Sequence, residues 1–225
     1  MKKIKGRQLV ILGLVLCSFT AICQDFEGSI TYRMTAQNPN PEMLADSVWQ
    51  QILEERLGGN GGVIQKYYYK ESNYMSEIQS KNEAGYQVFN PKDSLLYSWH
   101  KNSDTAITVD SQKYLDSFVE ILTSEEKDTI LGIPCKSIVV KSKMGKVTLW
   151  YNSDYLKMNP EFYQGHIYGH WTQILEAIKC LPLKIEQSGF MSKTTQVAID
   201  YKSEKVDDAQ FKLPSFKEII VNPLN

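Results

Sequence analysis

Short runs of alternating apolar and polar residues recur along most of the chain, the period-2 pattern of strands with one buried face. Ile30, Tyr32 and Met34 share one side of the first run, and Thr31 and Arg33 take the other. Comparable runs follow at 63–69, 74–79, 86–89, 95–99, 106–109 and 118–122, then at 137–140, 147–151, 183–186 and 196–201. Asn, Gly, Pro, Asp or Ser usually separates them, and a spacing of roughly ten residues predicts neighbouring strands joined by hairpins. The pattern therefore predicts a mainly β chain with a few helices, most of it an antiparallel meander.

Two segments keep a different period. From Asn40 to Gly58 the order is that of a helix over 41–57: Asn40 as cap, Pro41 at the first position, Glu42 at the positive end, and Gly58-Gly59 as the stop. Leu44, Val48 and Ile52 recur every four residues, widened by Trp49 and Leu53 into an apolar face. A shorter helix is predicted over 171–179, where Trp171, Ile174, Leu175 and Ile178 follow the i, i+3, i+4, i+7 rule. The sheet is the only large apolar partner for either. The first helix is thus expected to lie across the open side of the sheet, with Gly58-Gly59-Asn60-Gly61-Gly62 as its hinge.

The first 23 residues stand apart. A basic start (Lys2, Lys3, Lys5, Arg7), the apolar run 9–16 and the small-residue end Ala21-Ile22-Cys23 have the three-part layout of a secretory signal. Cleavage is expected after Cys23. A lipid-modified Cys23 is the competing outcome, disfavoured by the bulky Ile22 before it. The apolar run falls short of the roughly 20 residues that cross a bilayer, and no later segment reaches that length, so no transmembrane span is expected in the mature chain. Residues 24–225 then form one domain, a size ordinary for β-barrels and sandwiches.

Removing the signal leaves 21 basic against 26 acidic side chains, a formal charge of −5. Nucleic-acid binding has no electrostatic footprint in such a chain. Cys135 and Cys180 are the two cysteines left. In an oxidising compartment they are expected to pair, constraining the unfolded chain by about 4 kcal/mol; the alternative is two buried thiols acting as small hydrophobes.

Catalytic patterns are missing. His166 and His170 are four apart, but Gly165 and Gly169 break the helix that would aim both at one metal, so hydrogen-bonded loop histidines and no metal site are expected. No Gly-x-Ser-x-Gly elbow occurs, and the acidic pairs Glu125-Glu126 and Asp207-Asp208 sit in polar runs that read as solvated turns. The glycine-rich 58–62 stretch follows a helix and precedes a strand, the reverse of a phosphate cradle. No cofactor and no enzymatic activity are expected. Alternation sends Tyr67 and Tyr69 one way and Tyr68 the other, and with Phe89, Trp99 and Trp150 these aromatics are enough to line an apolar cavity, although ordinary core packing explains them equally well.

Several short stretches resemble envelope proteins of unknown function in the LolA/LolB/LppX-like superfamily: Phe26-Glu27-Gly28-Ser29-Ile30-Thr31-Tyr32, Ile130-Leu131-Gly132-Ile133-Pro134-Cys135-Lys136, the 147–151 run with Trp150, Leu181-Pro182-Leu183-Lys184-Ile185-Glu186, and Phe211-Lys212-Leu213-Pro214. The resemblance implies a curved antiparallel half-open β-barrel closed by one or two α-helices. It also implies export to the periplasm or outer-membrane face of a Gram-negative envelope, or secretion. In characterised members of that superfamily the cavity holds a lipid or lipoprotein acyl chain. The candidate ligand contacts are then Leu44, Val48 and Ile52 on the lid and Tyr67, Tyr69, Trp99 and Trp150 on the sheet. The alternative is a non-enzymatic structural protein with a self-filled barrel that contacts an envelope partner through its edge strands.

Overall fold

Strand β1 (Gly28–Gln37) buries Ile30 and Tyr32 and leaves Arg33 exposed, as its alternation requires. After α1 (Asp46–Leu57) come β2 (Gly62–Lys70), β3 (Asn73–Gln79), β4 (Ala84–Asn90), β5 (Leu95–His100) and β6 (Thr105–Asp110), each paired with the one before it. A second meander follows: β7 (Phe118–Ile130), β8 (Ile133–Ser142), β9 (Gly145–Tyr151), β10 (Lys184–Gly189) and β11 (Lys193–Ser203). Helix α2 (Trp171–Ile178) lies between β9 and β10, and β12 (Glu218–Val221) ends the series. The structure, a computed structural model, describes residues 25–57, 62–81, 84–189 and 193–223. The predicted signal with Cys23 and the hinge residues 58–61 lie outside the described residues.

The twelve strands form one sheet in the order β12-β6-β5-β4-β3-β2-β1-β11-β10-β9-β8-β7. The pairings are antiparallel except β12 on β6, which is parallel. Strands β12 and β7 end the sheet without pairing to each other, so this mainly β, curved, half-open barrel is not closed. Its two meanders meet at β1 and β11, where a register shift between Thr31 and Tyr32 bends the ladder.

The interior face collects Ile30, Tyr32, Tyr69, Tyr74, Phe89, Leu96 and Val109 from the first meander. Residues 152–183 close over it. That segment carries 3-10 turns at Pro160–Tyr163 and Tyr168–His170 before α2, which buries Ile174, Leu175 and Ile178. Backbone bonds fasten it at both ends, among them Phe26 N to Lys157 O (2.7 Å) and Leu183 N to Trp150 O (2.8 Å). In its middle, the amides of Ile167 and Tyr168 both donate to Ser111 O, at 2.8 and 2.9 Å. The Tyr32 hydroxyl donates to Pro182 O at 2.6 Å, tying the sheet centre to this cover.

Three expectations are corrected. The first helix starts at Asp46 instead of Pro41, because the Asn38 amide donates to Leu44 O (2.6 Å) and to Asp46 Oδ1 (2.9 Å) and holds the preceding residues as a turn. The element that closes the sheet is the 152–183 segment with α2, since α1 buries Leu53 while Val48 keeps 43% of its surface exposed. No disulfide joins Cys135 to Cys180: both are buried free thiols, and the Cys135 thiol donates to Ile133 O at 3.4 Å. Burial pushes the Cys180 thiol up to about 12, which suppresses the thiolate that disulfide exchange needs.

The face of β2–β5 opposite the cover is also occupied. Gln210, in a 3-10 turn at Asp208–Phe211, donates to Met75 Sδ and Glu77 Oε1, and Phe216 stacks on Tyr97 with centroids 6.5 Å apart. The C-terminal segment thereby straps the outer face before β12 adds to the β6 edge. No helix among the described residues is long and apolar enough to cross a membrane.

Candidate functional site

Between sheet and cover lies a cavity of about 160 Å³. Tyr67, Tyr69, Tyr74 and Gln87 reach it from β2, β3 and β4. Register explains why they converge: Tyr69 pairs with Tyr74, and Ser76 on β3 stands between Tyr67 and Gln87. Directly opposed residues share a face, so these side chains project together. Tyr163, Tyr168, Trp171, Leu175 and Leu181 complete the wall from the cover.

The aromatic rings form a continuous lattice. Tyr67 and Tyr69 stack at 5.9 Å with an 18° tilt, Tyr32 meets Tyr67 edge-on at 5.8 Å, and Tyr74 lies 6.0 Å from both Tyr69 and Tyr163. Among the described residues no acidic or basic side chain lines the cavity. Burial pushes the phenols of Tyr67, Tyr69, Tyr74 and Tyr163 well above their ordinary range, so they stay neutral hydroxyls at any physiological pH. Polarity comes from a row across the sheet. Gln65 donates to the Tyr67 hydroxyl at 2.7 Å and Gln87 donates to Ser98 Oγ at 3.1 Å, while the fully buried Ser76 Oγ has no partner among the described residues.

His166 stands behind this wall, with Nε2 2.9 Å from the Tyr74 hydroxyl and its ring centroid 4.7 Å from Phe89. Burial pushes its pKa down to about 4. His170 has separate surroundings, the rings of Tyr114 and Phe118 at 6.2 and 5.8 Å. Among the described residues no group of three metal-ligating side chains comes together.

Of the sequence candidates, Tyr67 and Tyr69 line the cavity. Leu44, Val48 and Ile52 lie on or before α1 and none reaches it: Leu44 and Ile52 are half-buried and Val48 is exposed. Trp99 projects to the strapped outer face, 5.4 Å from Tyr86 and 5.3 Å from Phe216. Trp150 is a buried core residue with Lys184 Nζ 4.2 Å above its ring. Sequence reasoning missed Tyr74, Gln87, Tyr163, Tyr168 and Leu181 as cavity residues. Tyr74 and Gln87 needed the hairpin register, whereas Trp171 and Leu175 belonged to the apolar stripe of the second predicted helix.

Neither a model of a known family nor a curated protein matches the chain. Among solved structures it is similar to PNGF-II in two crystal forms, at 15% identity over 88% of this chain, with TM-scores of 0.47 and 0.45. The chain spans about a third of the PNGF-II length, 32% and 31% in the two forms. It is also similar to an uncharacterized conserved protein from Thermus thermophilus, at 8% identity over 87% of this chain and 91% of that one, with a TM-score of 0.47.

Proposed function

We propose that this is an exported, non-enzymatic protein of a Gram-negative cell envelope that binds or carries a hydrophobic ligand inside its half-open barrel. The observation that carries the reading is the uncharged, aromatic cavity between β2–β4 and the 152–183 cover. A concave, uncharged space with aromatic walls and a few polar groups is what small hydrophobic ligands select. The signal-like start and the resemblance to LolA-like envelope proteins support the same compartment and the same ligand class. The cover, and not α1, is the wall a ligand has to pass. Native mass spectrometry of protein purified without detergent tests the reading: a co-purifying small lipid or apolar molecule that is lost in Leu175→Trp is expected. Mass equal to the bare chain, with no uptake of added apolar ligands, would overturn it.

A second reading, an interaction protein that meets an envelope partner through a sheet edge, has one observation in its favour. Strand β12 leaves Ile219, Ile220 and Val221 exposed at 54%, 42% and 67% on an edge, where natural sheets usually place charge. Ile220→Lys separates the two, since it would abolish partner binding and leave ligand uptake intact.

A further inference from the structure

We infer that the occupant of the cavity is a single uncharged aromatic ring carrying one hydrogen-bonding group, of the phenol class, and not an extended acyl chain. The inference rests on the hydrophobic-ligand reading above and narrows it.

Size decides first. A cavity of about 150 Å³ holds one benzene ring, and the space here is about 160 Å³. A chain of about 14 carbons brings more than twice the carbon of that ring and would extend well outside a space of this size. Shape points the same way. Tyr67 and Tyr69 are stacked at 18°, and Tyr74 and Tyr163 face the same space, so the walls offer ring faces and edges to a flat ligand.

Charge is excluded by the lining. With no acidic or basic side chain there among the described residues, an ionised ligand would lose its hydration without a partner. A neutral polar group is provided for. Ser76 Oγ is fully buried without a hydrogen bond, between two residues that line the cavity, Tyr67 and Gln87. Buried hydroxyls are nearly always bonded, and a ligand hydroxyl within reach would complete this one. The Tyr67 hydroxyl accepts from Gln65 and still has its own proton to give. One face of the site is therefore aromatic, and its polar corner is the Tyr67 hydroxyl at the wall with the buried Ser76 hydroxyl behind the lining.

The test is a titration of the mature chain with phenol, benzene and myristate, read by calorimetry and by the ring resonances of Tyr69 and Tyr74. Phenol is expected to saturate at one equivalent and shift both tyrosines, and to bind about tenfold tighter than benzene, the yield of one good hydrogen bond. Ser76→Ala, which removes a hydroxyl that has no protein partner, is expected to fold normally and bring phenol and benzene to within about threefold. Leu175→Trp is expected to abolish both. Myristate binding with phenol silent would overturn the ring assignment and leave the hydrophobic-ligand reading standing. Silence from all three probes would overturn both. Phenol binding that Ser76→Ala leaves tenfold tighter than benzene would overturn the polar corner.

Discussion

His166 is neutral because its ring is enclosed by Tyr74, Phe89 and Tyr163, and a proton there would be a buried charge. Its pKa of about 4 lies below the roughly 6.5 of an unfolded chain, so the unfolded state binds more protons between those values. Stability is fully present above that window and falls as pH drops through it, by about 2 kcal/mol from pH 7 to pH 5. Urea midpoints at the two pH values check this, and His166→Phe should remove most of the difference. Gly28, at φ 150°, has a second kind of constraint: a Cβ there would overlap the carbonyl of Lys202 across the β1–β11 joint. Gly28→Ala is expected to cost about 2 kcal/mol or more in a denaturant melt. Cys135 and Cys180, as buried free thiols, should resist alkylation in the native protein and yield two labelled cysteines once unfolded without reductant. At this scale alternation made Tyr67 and Tyr69 legible as a facing pair. Tyr163 and Tyr168 were not, because they lie in 3-10 turns with no period to read.

The two helices show where apolar periodicity misleads and where it suffices. In α2 the stripe Ile174, Leu175 and Ile178 is wholly buried, and the helix ends in a left-handed Lys179 whose amide bonds Leu175 O at 2.9 Å. In α1 the predicted stripe is displaced: the later start at Asp46 leaves Leu44 in the turn and turns Val48 outward, so Leu53 is the buried residue. Val48→Asp should therefore change stability by less than about 0.5 kcal/mol, while Leu53→Asp should cost several, as seen in urea melts of the pair. A four-residue spacing gives a face but not the direction in which it points. The hairpin of β7 and β8 also runs longer than alternation predicts, since its turn uses Leu131 at φ 53° beside Gly132 at φ 76°. Leucine is a poor sequence marker for the left-handed position that a two-residue hairpin turn requires.

Across the whole molecule, two segments cover the sheet: residues 152–183 on the inside, where Ile174 and Ile178 reach Ile138 and Leu149 of the second meander, and the strap with Phe216 on the outside of the first, before β12 extends the β6 edge. The meander itself was legible from strand spacing; the strap was not, because 204–217 has no repeating pattern and β12 is four residues long. Phe216→Ala should cost about 1–2 kcal/mol through lost ring contacts with Tyr97 and Trp99, and hydrogen exchange should speed up at β12 while β1–β3 stay protected. The place of β1 in the strand order has a kinetic consequence. It precedes the other described strands in the chain and sits mid-sheet, yet one of its two neighbours is β11, which pairs Gly28 with Ser203. Hairpins β2 to β6 close over short loops, and so do β7 to β9, with β1 joined to β2 through α1, but the seam between the halves waits for residues 193–203 to be made. Loop-closure entropy is spent there before any contact rewards it, which places this chain among slow, millisecond-to-second folders. Until that seam zips, one edge of β1 is an unpaired strand with Ile30 and Tyr32 uncovered, the interval in which a chaperone has something to hold.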